Sequence, residues 1–155
     1  MSSICIKFPN PEAPSFPAWL DLLETYKQYI DEQTIMIGHS LGGLFLLRVL
    51  ERLPNQIFAA FFVAAPIGIK PIRYYDSDYR FSGFTFDWKL IKSQAKHFSV
   101  FHSDNDPYVS LNNGKELAKK LGIQLHFIPN AGHLNAESGY TKLDELLQEI
   151  SYILI

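Results

Sequence analysis

Cysteine is nearly missing: one, Cys5, stands in 155 residues. A lone thiol excludes an internal disulfide framework and any multi-cysteine zinc site. Excess charge of either sign is missing as well. Lys and Arg number 14, Asp and Glu 16, for a net charge of -2 and a pI of about 6.2. Binding through phosphate neutralisation needs a basic surface, so nucleic acid is not an expected partner. No apolar run approaches the roughly 20 residues of a membrane span. Met1 to Pro9 has neither the basic start nor the apolar stretch of a secretory signal. A membrane is therefore not an expected partner, and the expected location is the cytoplasm. Charged residues are only 19% against 47% apolar, which describes a chain with a real core rather than a disordered one. The length points to one domain over residues 1–155, with no repeat, low-complexity tract or linker to divide it.

What is present is a regular alternation. Ile4–Phe8 reads as a strand stopped by Pro9, Asn10 and Pro11. Ser15 and Pro17 mark a helix start, followed by Leu20, Leu23, Tyr26 and Ile30 at helical spacing. Thr34–Ile37 and Ile57–Val63 are apolar throughout, as strands are when both faces are covered. Between them Leu44, Leu47 and Leu50 belong to a helix that ends before Pro54. A fourth strand runs from His97 to Phe101 and a fifth over Leu125–Ile128. Ser110–Leu121 is a helix with Gly122 as its stop. Thr141 and Asp144 resemble a capping box before a last helix with Leu143, Leu146, Leu147, Ile150 and Ile153 on one face. This order predicts a three-layer α/β fold, a parallel sheet with helices on both faces. The one long irregular stretch is Pro66–Phe86, rich in Tyr, Ser, Gly and Asp.

The most informative segment is Gly38-His39-Ser40-Leu41-Gly42, a G-x-S-x-G pattern between a predicted strand and a predicted helix. Chance alone yields the bare pattern in about 5% of chains of this length, so its placement carries the weight. A serine on a tight strand-to-helix turn is strained, and its neighbours two before and two after must be small. The turn lifts the hydroxyl to a helix N-terminus, where the Leu41 N–H can meet an oxyanion. His39 is expected to turn its side chain away into a structural role, although its position keeps it among the pocket candidates.

A serine nucleophile needs a histidine base, and the base needs a carboxylate. In such sheets these groups sit beyond the carboxyl ends of strands. The fourth strand is followed by Asp104 and Asp106, the fifth by His133, so the chain order is Ser, Asp, His. Asp106, before Pro107, is favoured as the acid, with Asp104 as the competitor. His133 is favoured as the base because Asn130 and Gly132 permit a sharp exposed turn. His97, His102 and His126 lie in or beside strands and read as core or pocket wall. A metal site on His102, Asp104, Asp106 and His133 lacks the usual ligand spacing, and neither metal nor organic cofactor is expected.

Four stretches together resemble the small serine hydrolases of the retinoblastoma-binding protein nine family, a compact branch of the α/β-hydrolases. They are T-I-M-I-G-H-S-L-G-G at 34–43, S-G-F-T-F-D-W-K-L-I-K at 82–92, S-D-N-D-P-Y-V at 103–109 and N-A-G-H-L-N at 130–135. The resemblance implies a Ser40, Asp106, His133 triad without a large lid, and a short flanking helix that brings Phe84, Phe86 and Trp88 to the pocket. It also exposes a departure. The family begins with a further strand ending in His-Gly, so this fold is expected to be N-terminally shortened. The loop after that strand gives the second oxyanion donor, and losing one donor costs roughly 100- to 1,000-fold in kcat. The strand itself would lie between Ile4–Phe8 and Thr34–Ile37, so those two are expected to pair directly or to leave edges open.

The expected chemistry is attack by Ser40 on an ester or similar acyl carbonyl of a small molecule, with His133 as base. The competing expectation is a protein-binding module that keeps the hydrolase shape with impaired turnover.

Overall fold

Short apolar runs that need cover on both sides build the centre of the fold. The computed structural model describes residues 2–155. Its strands are β1 (Ile35–His39), β2 (Ile57–Val63), β3 (Ala95–His102) and β4 (Leu125–Phe127), parallel and ordered β1-β2-β3-β4 in one sheet. Its α-helices are α1 (Phe16–Glu24), α2 (Leu41–Leu50), α3 (Tyr75–Ser82), α4 (Trp88–Ser93), α5 (Leu111–Leu121) and α6 (Asp144–Ile153).

Side-chain alternation along β2 divides the core. Ala60 and Phe62 join Leu46 and Leu47 of α2, Ile91 of α4 and Leu117 of α5 on one face. Ala59, Phe61 and Val63 join Leu146 and Ile150 of α6 on the other. A strand covered on both sides has no position for a polar residue, and β2 has none. Outside α2 a third cluster gathers Trp19 of α1, Phe45 and Val49 of α2 and Phe81 of α3. Local signals agree with this packing. Ser15 Oγ accepts the Ala18 N–H at 3.4 Å at the start of α1, and Gly122 closes α5 at φ 74°.

Three expectations are corrected. Ile4–Phe8 is not a strand: Phe8 stacks on Trp19 at 4.5 Å between ring centres, and the Trp19 indole N–H donates to Pro9 O at 3.1 Å. The segment is thus anchored on helices rather than on the sheet. Second, Pro66–Phe86 is not all irregular; it holds α3, whose residues are mostly polar and whose Phe81 anchors it in the third cluster. Third, Thr141 is not a cap: Leu143 precedes α6 and no side chain caps it.

Among the described residues β1 is an edge. Thr34 O accepts the Phe58 N–H and the Ser40 N–H donates to Val63 O, so residues of even number face β2. By alternation Ile35, Ile37 and His39 turn their backbone groups outward, and Ile37 is 51% exposed. The edge carries no proline and no lysine. No described helix is long and apolar enough to cross a membrane.

Asp78 sits on the buried side of α3, where burial pushes its carboxyl up to about 6 from an ordinary 3.8. The folded state therefore favours the neutral acid. Its stabilising contribution is full below the unfolded pKa and is lost as pH rises through the folded one. Thermal unfolding of Asp78→Asn against wild type should show the variant gaining of order 1–3 kcal/mol between about pH 4 and pH 8. Parallel melting curves across that range would contradict it.

Candidate active site

The end of β1 turns directly into α2, and Ser40 is the single residue between them. Its φ of 53° and ψ of -122° are sparsely populated for a residue with a side chain and cost of order 1–3 kcal/mol. The turn is held from both sides. The Ser40 N–H donates to Val63 O at 2.8 Å, and Ser40 O accepts the Gly43 N–H at 2.9 Å. The close approach of strand and helix needs two glycines. A Cβ on Gly38 would lie 2.5 Å from Gly42 O, and one on Gly43 would strike the Ala65 side chain. Gly42 is different, since a Cβ there meets nothing within 4 Å. The expectation that the residue two after the serine must be small is thus corrected, with Gly43 as the residue that clearance demands. Leu41, at the first turn of α2, has an N–H with no acceptor inside the helix.

Asp106 and His133 arrive from the loops after β3 and β4. His133 Nδ1 stands 2.7 Å from Asp106 Oδ2. A carboxylate only accepts, so the proton sits on Nδ1 and Nε2 keeps a free lone pair. Asp106 Oδ1 accepts the N–H groups of Tyr108 at 2.8 Å and Val109 at 3.0 Å. Burial raises the Asp106 pKa, yet the bonds from His133, Tyr108 and Val109 outweigh it and hold the carboxyl below its ordinary value.

The His133 loop hangs on side chains of the β3 loop. Asp104 Oδ1 accepts the Asn130 N–H at 2.8 Å, Ser103 Oγ the Ala131 N–H at 2.8 Å, and Asn105 Oδ1 the Gly132 N–H at 2.7 Å. Asn130 and Gly132 both take positive φ, 55° and 57°, as the sharp turn requires. Asp104 is thereby a brace, and Asp106 is the acid that meets His133. Ser138 Oγ accepts the His133 N–H at 3.1 Å.

His39 turns toward this loop. Its Nε2 donates to His133 O at 2.8 Å, and the two rings lie 4.8 Å apart. This bond ties the His133 loop to the residue beside Ser40. No hydrogen bond joins the Ser40 hydroxyl to His133 among the described residues. Phe86 and Trp88 are placed in core packing: their rings lie 5.0 Å apart, and the Arg48 guanidinium covers Phe86 at 4.4 Å. Phe84 borders a surface groove of about 370 Å³ with Arg48 and Tyr79, but Ser40, Asp106 and His133 do not line it. Sequence reasoning missed Ser138 and Tyr108, whose ring lies 4.8 Å from that of His133. The run Ser103-Asp104-Asn105 was a readable signal, since all three side chains accept backbone N–H groups in turns.

A parallel sheet with helices on both faces, and a serine at the tight turn after a strand, define an α/β-hydrolase. The chain belongs to the serine hydrolase family, whose match covers residues 2–151. It is 30% identical to YdeN of Bacillus subtilis over 89% of this chain and 73% of that protein. It is 29% identical to serine hydrolase RBBP9 of Rattus norvegicus over 94% of this chain and 74% of that one. The crystal structure of the Bacillus subtilis ydeN product superposes with a TM-score of 0.88 at 28% identity, covering 96% of this chain and 80% of that one.

The glycine geometry makes an asymmetric prediction. Gly38→Ala forces backbone apart and should cost about 1–3 kcal/mol, or roughly 2–12 °C in Tm. Gly42→Ala should melt no lower than wild type. Equal losses from both substitutions would show that the turn is not packed as described.

Proposed function

We propose that the chain hydrolyses an ester or related acyl bond through an acyl-enzyme on Ser40. Residues 1–155 act as one domain in this reading. His133 Nε2 takes the Ser40 proton as Oγ attacks the carbonyl carbon. The oxyanion forms against the Leu41 N–H, at the positive end of α2. Asp106 keeps the imidazole in the Nδ1–H tautomer and stabilises its charged form. His133 then returns the proton to the leaving alkoxide. A water molecule, deprotonated by the same Nε2, attacks the acyl carbon; the acyl–Oγ bond breaks, the acid is released, and the imidazolium returns the proton to Ser40 Oγ. The observation that carries the reading is the 2.7 Å bond between His133 Nδ1 and Asp106 Oδ2. It prepares a base on the loop that His39 ties to the nucleophile turn. Family membership supports the reading, and the small size of the chain suits small-molecule substrates.

A second reading, a binding module with weak turnover, is favoured by one observation: Ser40 Oγ lacks a hydrogen bond to His133. Catalytic hydrogen bonds are often long before substrate binds, so the first reading stands ahead.

A fluorophosphonate probe should label the wild-type protein, and Ser40→Ala should abolish labelling. Asp106→Asn should slow labelling by about 10,000-fold, since the wrong tautomer is then held. A folded wild-type protein that stays unlabelled would overturn the enzyme reading in favour of the binding module.

A further inference from the structure

We propose that His102 is a positioning residue for Asp106: its Nε2–H, bonded to the Val109 carbonyl and standing 3.6 Å from the Asp106 carboxylate, fixes the orientation in which that carboxylate meets His133. The role of Asp106 rests on the function proposed above; the hydrogen bonds themselves do not.

His102 is the last residue of β3, four before Asp106, and is completely buried. Its Nε2 lies 2.9 Å from Val109 O. A carbonyl only accepts, so Nε2 carries the proton and Nδ1 is bare. That Nδ1 is buried and has no hydrogen-bond partner among the described residues. An orphaned polar atom of this kind costs free energy, and a plain apolar side chain would avoid the cost. The same Nε2 lies 3.6 Å from Asp106 Oδ2, the very oxygen that holds His133. Val109 is clasped from both ends, its N–H by Asp106 Oδ1 and its carbonyl by His102. The turn between them cannot rotate without breaking one of these bonds.

The opposite wall is shaped for the ring. Gly114 lies within α5, where glycine costs about 1 kcal/mol relative to alanine. A Cβ there would stand 2.6 Å from His102 Cβ and 2.7 Å from Nδ1. The helix thus gives up intrinsic stability at the spot where the imidazole needs room. Burial, opposed by the Val109 bond and the Asp106 charge, lowers the His102 pKa. That direction favours the neutral ring, the form in which Nε2–H is bonded to the Val109 carbonyl.

The proton between His133 and Asp106 should give a proton resonance far downfield of the amides, assigned by its absence in Asp106→Asn. His102→Leu should shift or erase that resonance and slow fluorophosphonate labelling roughly 10- to 100-fold per folded molecule, as a misplaced catalytic group does. His102→Gln, whose amide N–H can replace Nε2–H, should restore the resonance and bring labelling within about threefold of wild type. Gly114→Ala, which crowds the ring, should behave like His102→Leu. An unchanged resonance and labelling rate in folded His102→Leu would overturn the proposal. If that variant does not fold, loss of the resonance in folded His102→Gln would overturn it instead. A wild-type protein that shows the resonance but takes no label would refute the Ser40 reading, while the resonance still decides the role of His102.

Discussion

The hydrogen bond between His133 Nδ1 and Asp106 Oδ2 is the constraint around which both loops beyond β3 and β4 are organised. The side chain of Asp106 is buried, and an ionised buried carboxylate is costly unless its oxygens are fully engaged. Here one oxygen takes two backbone N–H groups and the other takes the imidazole. Those bonds require the chain to turn sharply at 106–109, and Pro107 and the Val109 clasp favour that turn. The imidazole must then be carried to the carboxylate from another strand. Ser103, Asp104 and Asn105 do this by accepting the N–H groups of the loop that bears it. Backbone donors of residues 130–132, which would otherwise need water, thereby become the attachment of the loop.

The Ser40 end obeys a different physics, that of clearance. Ser40 is held in a strained conformation by hydrogen bonds to β2 and within α2, and glycine at 38 and 43 lets strand and helix approach. The helix that receives the turn is anchored by Leu44, Leu47 and Leu50, which are completely buried. A local conformation that costs of order 1–3 kcal/mol persists only when its surroundings over-determine it. His39 joins the two halves of the site, since its ring bonds to the His133 carbonyl while its backbone continues β1.

What could be read from the sequence was what burial writes into composition. Ile57–Val63 is a strand at its expected residues because a doubly covered strand leaves no polar position. Gly122 and Ser15 mark helix ends because backbone geometry restricts which residues serve there. The meeting of Asp106 and His133 was legible because strand ends fix where such groups emerge. The failures concern partners rather than propensities. Ile4–Phe8 has a strand's composition, but a strand needs a neighbour, and Phe8 finds Trp19 instead. The helix Tyr75–Ser82 is polar along most of its length and is held by Phe81 and the cluster around Trp19, a tertiary effect invisible in a local window. Phe86 and Trp88 have the composition of either pocket or core, and only three-dimensional packing distinguishes the two. The direction of the His39 ring and the room left by Gly114 for His102 have no one-dimensional signature at all.

Hydrolysis at Ser40 requires that Ser40, His133 and the Leu41 N–H converge on one reacting centre. The most direct measurement is a crystal structure of the protein after reaction with a fluorophosphonate. It should show phosphorus bonded to Ser40 Oγ, a phosphoryl oxygen about 2.7–3.1 Å from the Leu41 nitrogen, and His133 Nε2 facing the adduct. An adduct on another residue, or on Ser40 with His133 and the Leu41 N–H both turned away, would contradict it.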